Sequence, residues 1–281
     1  TSATAIAGLM DSLQFSLRNR RDMGCQRLVF NSTSRANTMR LDQMLVTRGL
    51  APSRARAQDL IKRGFVRVAG KICNKPAFEI PSACNIELSL DAPAYVSRGA
   101  EKLVAAIDQF GFDAAGVVAL DVGASTGGFT QVLLERGARR IYAVDVGTAQ
   151  LHSALKGDPR VVSIENCDAR ALSREFVPEP VGAIVVDVSF ISVTKVLGSV
   201  LPFALAGAWL VVLVKPQFEV GRERVGSGGI VRDEAARLDA LEGVRRWLDH
   251  QPNWRVIGDM PSPIAGGSGN MEYLIGARRN G

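Results

Sequence analysis

The spacing of apolar residues changes twice along this chain, and each change marks a different kind of structure. Between Arg40 and Gly64 apolar positions recur three and four apart. Leu41, Leu45 and Val46 share a helical face closed by Gly49, while Ala57, Leu60 and Ile61 share a second, capped by Ser53 and ended by Gly64. Residues 65–68, the turn Ala69-Gly70 and Ile72 onward then alternate as a hairpin, and Ile86, Leu88 and Leu90 alternate as a closing strand before a linker. From Tyr95 helical stripes alternate with uninterrupted apolar runs, the pattern of parallel strands buried on both faces. Leu103, Ala106, Ile107 and Phe110 form the first stripe, with Ser97 as its cap and Lys102 on its border. Apolar runs then lead into Asp121, fill residues 141–144, 161–164, 183–186 and 209–214, and leave room for helices at 131–135 and across Val193, Val196, Leu197, Val200 and Leu201. Residues 218–233, with four glycines, read as a mobile loop able to close over a site. A helix carrying Leu238, Leu241, Val244 and Leu248 follows, then strands at 254–257 and 271–275 joined by a flexible stretch at 265–270, with Glu272 set in the final strand.

Strands alternating with helices predict an α/β domain over residues 95–281, a doubly wound, mostly parallel sheet, preceded by a small α+β unit over residues 39–94. Residues 1–38 carry Ser, Thr, Asn and Arg without any sustained period. A disordered extension, a transit-like peptide and a segment upstream of a true start at Met39 all fit them. The 19 residues between Lys195 and Lys215 are uncharged, which imitates a membrane span. Gly198, Pro202 and Gly207 interrupt the run, and a helix, a turn and a buried strand account for it, so no span is expected. Cysteines 25, 73, 84 and 167 form no close pair and stand far from His152 and His250, which argues against a zinc site and a disulfide framework and for a reducing cytoplasm.

Charge changes the picture at the front of the chain. The net charge is +6 overall, and from Arg40 to Lys75 nine basic residues face two acids, Asp42 and Asp59. Arg40, Arg48, Arg54, Lys62, Arg63 and Arg67 are the candidates for contacts to phosphate oxygens of a nucleic acid, contacts that supply affinity without reading sequence.

Chemistry concentrates in the large domain. The stretch V-V-A-L-D-V-G-A-S-T-G-G-F-T at 117–130 is a strand, a glycine-rich turn and the start of a helix, where backbone approaches a ligand closely and free N–H groups point at it. Gly123 and Gly127 are four apart, so the dinucleotide spacing is absent; D-x-G-x-x-x-G-G instead resembles the S-adenosylmethionine (SAM) loop of class I methyltransferases. Asp145 ends the second strand, 24 residues beyond Asp121, where an acid can accept ribose hydroxyls. Asp187 and Lys215 end the fourth and fifth, and ligands of such sheets bind beyond these strand ends.

Two longer resemblances join these signals. R-L-D-x-x-L-V-x-R-G-L-x-x-S-R through V-x-V-x-G-K, from Arg40 to about Ile80, resembles the RNA-binding domain named after ribosomal small-subunit protein four. S-R-G-A-E-K-L at 97–103, the glycine loop, V-D-V-S-F-I-S at 186–192, V-K-P-Q-F-E at 214–219 and G-N-M-E-Y-L at 269–274 together resemble the TlyA family, often labelled haemolysins, whose catalytic domain is similar to the FtsJ/RrmJ ribosomal RNA 2′-O-methyltransferases. The resemblance implies a catalytic set of Lys102, Asp187, Lys215 and Glu272. It implies SAM on Asp121, Gly123, Ser125, Thr126, Gly127, Gly128 and Phe129, with the ribose at Asp145 and the adenine region at Asp168, and ribosomal RNA or ribosomal subunits as partner, with no metal. A ribose hydroxyl is a weak nucleophile. A neutral lysine could take its proton, with a second lysine favouring the neutral form and carboxylates orienting both; Lys215 is the candidate, with Lys102 beside it. A membrane-active lysin and a non-catalytic RNA-binding assembly factor are the competing readings.

Overall fold

The computed structural model describes residues 38–266 and 268–281; the readings made of residues 1–38 lie outside them except at Thr38, which begins the first strand rather than ending a patternless extension. The small unit contains β1 (Thr38–Arg40), α1 (Leu41–Thr47), α2 (Arg54–Lys62), β2 (Val66–Val68), β3 (Lys71–Ile72), β4 (Glu79–Pro81) and β5 (Ile86–Leu88). β2 lies between β3 and β5, and β1 pairs antiparallel with β4, a pairing that the pattern did not reveal. Ser53 caps α2 as expected, its side chain accepting from the Arg56 N–H. Two apolar residues depart from expectation. Val46 is exposed and Met44 takes its place in the core, because at 100° per residue Val46 stands about 140° round from Leu41. Leu90 is exposed because pairing with β2 ends at Leu88.

The large unit runs α3 (Gly99–Phe110), β6 (Val118–Val122), α4 (Gly128–Glu135), β7 (Arg140–Val144), α5 (Ser153–Lys156), β8 (Val161–Ile164), β9 (Val181–Val186), α6 (Thr194–Val200), β10 (Ala204–Val214), α7 (Pro216–Glu219), α8 (Glu234–Asp249), β11 (Trp254–Pro261) and β12 (Tyr273–Arg279). Its seven strands lie in the order β11-β12-β10-β9-β6-β7-β8. The five from β10 to β8 are parallel, and β12 is antiparallel to both neighbours. Strand order reverses between β6 and β9, which opens a crevice above their C-terminal ends. Both faces are covered. Leu120, Val122, Ile184, Val186 and Val212 pack on one side with Leu197 and Val244, and Ile141, Val185, Val211 and Leu213 on the other with Leu103 and Leu133. That double burial is why the strands read as unbroken apolar runs. It also explains the uncharged stretch, which is α6, a turn and β10; among the described residues no helix is long and apolar enough to cross a membrane.

Four further expectations are corrected. Leu238 is exposed, and the buried face of α8 is made by Ala236, Ala240, Leu241, Val244 and Leu248. Residues 218–233 are folded rather than open: α7 begins the segment, and the Glu219 carboxylate accepts from Ser192 Oγ at 2.6 Å and Val193 N–H at 2.8 Å. Asn270, read as part of a flexible join, is 1% exposed; its carboxamide accepts from the Val231 N–H and donates to the Gly229 carbonyl. Glu272 stands just before β12 rather than within it.

Gly276 in β12 lies beneath the Phe110 ring, and a Cβ there would sit 2.6 Å from its Cδ2. Gly276→Ala should therefore lower the melting temperature, since overpacking costs about 1–3 kcal/mol against the roughly 0.5–1 kcal/mol that alanine gains within a strand. Adding Phe110→Leu should recover part of the loss. A melting temperature equal to or above the parent's would contradict this packing.

Candidate active site

Three glycines draw the walls of the site together. Gly123 has φ +83°, and a Cβ on it would stand 2.4 Å from the Asp187 carbonyl oxygen, so the turn after β6 and the end of β9 touch through backbone. Gly127, with φ +98°, faces Leu155 of α5, where a Cβ would come within 2.3 Å of a methyl group. A Cβ on Gly128 would lie 2.2 Å from Ser97 Oγ. Ser97 thus seats the chain ahead of α3 on the glycine loop. It does not cap α3, whose N-cap is Arg98 with no side-chain bond.

Above this junction is a cavity of about 260 Å³, walled by Ser125, Thr126 and Phe129 on the loop side and by Lys102, Asp187, Lys215 and Glu272 on the other. The sheet brings the last three together. Asp187 follows β9 and Lys215 follows β10. Val214 is paired with Tyr273, so antiparallel β12 delivers Glu272 to the same edge that the parallel strands reach with their C-termini. Lys102 arrives from the first turns of α3, which packs on β10 and β12. Its ammonium is 2.5 Å from a Glu272 oxygen, and Lys215 Nζ is 2.6 Å from Asp187 Oδ1 and 2.8 Å from Ser189 Oγ. Lys102, Lys215 and Glu272 are 5%, 9% and 4% exposed. Two ammoniums this dry need partners, and each has a carboxylate. Ser189 was not singled out from the sequence, although it lies two residues past a strand-end acid.

The remaining predicted cofactor residues divide. Asp145 does not line the cavity itself but is bonded to its wall, accepting the Ser125 N–H at 2.8 Å and the Gly147 N–H at 2.7 Å, one on each oxygen. Asp168 lies outside the cavity wall, paired with Arg170, which holds its carboxyl down at about 2. Asp121 is sealed beneath the loop. It is fully buried, its Oδ2 accepts from Thr130 Oγ1 at 2.6 Å, and its Oδ1 has no hydrogen-bond partner among the described residues. Burial pushes this carboxyl from 3.8 up to about 7, with the Asp187 charge adding to the rise and the Thr130 bond opposing it. Among the described residues no group of three or more His, Cys, Asp or Glu is placed to hold a metal.

The site extends on two sides. Sharing Lys215 and Glu272 is a second cavity of about 340 Å³, lined by Phe190, Phe218, Gln217 and Asn270. Phe190 is 91% exposed at φ +66°, its ring 5.2 Å from that of Phe218. Towards the small unit a third, of about 380 Å³, shares Ser97, Arg98, Ser125 and Thr126 and reaches Lys62. The six basic candidates of that unit are not equivalent. Arg40 and Arg54 both bind Asp42, which is wholly buried and held far below the usual carboxylate range. Arg63 is bound to Glu101. Among the described residues, Arg48 and Arg67 donate only to the carbonyls of Ser82 and Gly70, and they and Lys62 form no ion pair.

A seven-stranded sheet with one reversed strand, a glycine turn at its switch point and paired lysines and carboxylates beyond its strand ends define the class, which is that of the FtsJ-like methyltransferases. The chain matches that family over residues 95–279 and the S4 domain over residues 39–82. It is 45% identical over 244 residues, 86% of this chain and 91% of the other, to the 16S/23S rRNA (cytidine-2′-O)-methyltransferase TlyA of Mycobacterium tuberculosis. It is 40% identical to Hemolysin A of Brachyspira hyodysenteriae, over 84% of this chain and 98% of that one. A solved structure described as a hemolysin of Streptococcus thermophilus superposes with a TM-score of 0.69 at 37% identity, over 86% of this chain and 89% of that chain. The protein belongs to the TlyA family.

Asp121 gives a pH test of the buried loop support. An acid raised from 3.8 unfolded to about 7 folded binds its proton more tightly in the native state, so its contribution is present below pH 4 and is lost as pH rises through 7. Asp121→Asn cannot titrate, and its stability relative to the parent should climb by on the order of 1 kcal/mol per pH unit across that window and level off above it. A difference that stays flat with pH would refute the burial argument.

Proposed function

We propose that this chain transfers the methyl group of SAM to a ribose 2′-hydroxyl of ribosomal RNA, at cytidine as the name of its Mycobacterium tuberculosis relative describes. The observation that carries this reading is the meeting of Lys102, Asp187, Lys215 and Glu272 at one cavity wall opposite the glycine loop. The residues fit SAM. The loop backbone faces the cavity, and each Asp145 oxygen holds one N–H, which leaves acceptor capacity for ribose hydroxyls. Gly123, Ser125, Thr126, Phe129 and Asp145 would hold the cofactor, and Asp121 supports the loop from below. When bound, SAM supplies an electrophilic methyl on a positively charged sulfur. The protein's part is then to aim an oxygen and take its proton, since in-line transfer needs little covalent help.

Lys215 takes that proton. Its amine stands between the cofactor cavity and the aromatic-lined cavity that receives the acceptor nucleotide, and it acts in its neutral form. Asp187 and Ser189 hold the amine in place, and Glu272 fixes Lys102 on the same cavity wall. Phe190 and Phe218 offer faces for stacking a displaced base. The small basic unit holds RNA by its phosphates, through Arg48, Lys62 and Arg67 rather than Arg40 and Arg54, which are both tied to Asp42.

Arginine keeps a positive charge but does not lose its proton in the working pH range. Lys215→Arg should therefore bind SAM and RNA yet lose about 10²-fold or more in single-turnover methyl transfer to ribosomal RNA. The parent rate should rise with pH and the variant's should not. Near-normal turnover with an unchanged pH profile would exclude the general base. For the small unit, Lys62→Ala with Arg67→Ala should weaken RNA binding and flatten its dependence on salt by about 0.7–0.9 in log–log slope per lost phosphate contact. Arg54→Ala should instead lower thermal stability by uncovering Asp42. Equal effects of Arg54 and Lys62 on the salt slope would contradict that division.

A further inference from the structure

Between the two units lies an ionic hub that none of the steps above uses. Asp59 of α2 accepts from Arg56 at 2.7 Å and lies 3.6 Å from Arg63 and 4.0 Å from Arg98. Arg63 grips Glu101 with both terminal nitrogens, at 2.6 and 3.0 Å, and its guanidinium lies 4.9 Å from the centre of the Phe65 ring. Arg56, its side chain only 2% exposed, also donates to the Pro93 carbonyl in the linker at 2.5 Å. Three guanidiniums and two carboxylates therefore join α2 to the start of α3, where Arg98 is the N-cap and Glu101 lies in the first turn.

The next residue after Glu101 is Lys102. A bidentate arginine–carboxylate pair fixes orientation as well as distance, and Phe65 beneath the guanidinium limits its rotation. We propose that Arg63 is a positioning residue rather than an RNA contact: by holding Glu101 it sets the first turn of α3, and so the reach of Lys102 to Glu272, making methyl transfer depend on the docked small unit. The inference rests on the reading of Lys102 as part of the reacting site. It does not need the pair to add much stability, since Arg63 and Glu101 are 30% and 20% exposed and pairs so placed contribute little. What it needs is geometric precision, and a displacement of about 1 Å at a reacting site can cost 10²-fold in rate.

Charge reversal separates this role from RNA contact. Arg63→Glu, Glu101→Arg and the two together would be assayed as full-length proteins on ribosomal RNA with saturating SAM, measuring kcat, KM for RNA, Kd for SAM and the melting temperature. Each single change should lower kcat by about tenfold or more with KM for RNA and Kd for SAM nearly unchanged. The double reversal keeps the net charge and restores the pair, and it should recover most of kcat. A rise in KM with kcat intact, not repaired by Glu101→Arg, would overturn the proposal and return Arg63 to the RNA-binding set. Where a single reversal does not fold, Arg63→Lys decides: it keeps the charge without the two-pronged bond, so a reduced kcat supports the role and an unchanged kcat overturns it. A parent protein that methylates no ribosomal RNA would bring down the proposed function and this inference together. An active parent with indifferent variants would bring down this inference alone.

Discussion

Two lysine ammoniums held almost dry against two carboxylates are the constraint around which the rest of the large unit is arranged. Taking such charges out of water is costly, and removing one partner of a buried pair typically costs about 3–5 kcal/mol. The arrangement is therefore stable only as a set. Its geometry comes from the sheet: Asp187, Lys215 and Glu272 occupy one edge because β12 runs against its neighbours and starts where they end. A fully parallel sheet would carry the residue ahead of its last strand to the opposite edge. Lys102 completes the set from α3, the element that also meets the RNA-binding unit.

The glycine loop serves this arrangement in a way that its motif alone does not convey. A glycine-rich turn is usually read as room for a ligand's phosphates or carboxylate. Here Gly123, Gly127 and Gly128 also give room to protein: the backbone of Asp187, the side chain of Leu155 and the hydroxyl of Ser97. The loop is a junction at which β9, α5 and the approach to α3 are drawn to one point. Asp121 and Thr130 support it from beneath, and the raised carboxyl of Asp121 reflects how completely water is excluded there.

Much of this was legible from the residues. Strands buried on both faces write themselves as unbroken apolar runs, so β7 to β10 could be found within a few residues of their ends, apart from the exposed first part of β10. The four charged residues at strand ends and on α3 were legible through the family resemblance, and the sheet does bring them to one wall. Other features needed three dimensions. A six-residue basic set looks uniform in sequence, yet Asp42 ties down both Arg40 and Arg54, because a buried acid collects whichever cations the fold places round it. Asp121 carries a motif acid's signature and is still buried beneath the loop, its carboxylate bonded to Thr130 rather than lining the cavity. Ser97 precedes a helix as a cap would, but the helix begins two residues later and its hydroxyl turns to Gly128. Asn270, in a glycine-rich stretch that suggests looseness, pins the segment beyond Lys215 with both ends of its amide.

The central claim is that the lysine–carboxylate set methylates ribose in ribosomal RNA, and mass spectrometric mapping tests it most directly. Ribosomal RNA would be taken from cells that lack the protein, from cells that carry it, and from cells that carry Lys215→Arg at equal abundance. The account predicts at least one 2′-O-methylated nucleotide present only with the unaltered protein. Identical methylation maps in all three, or a methyl group added at a base rather than at a ribose, would contradict it.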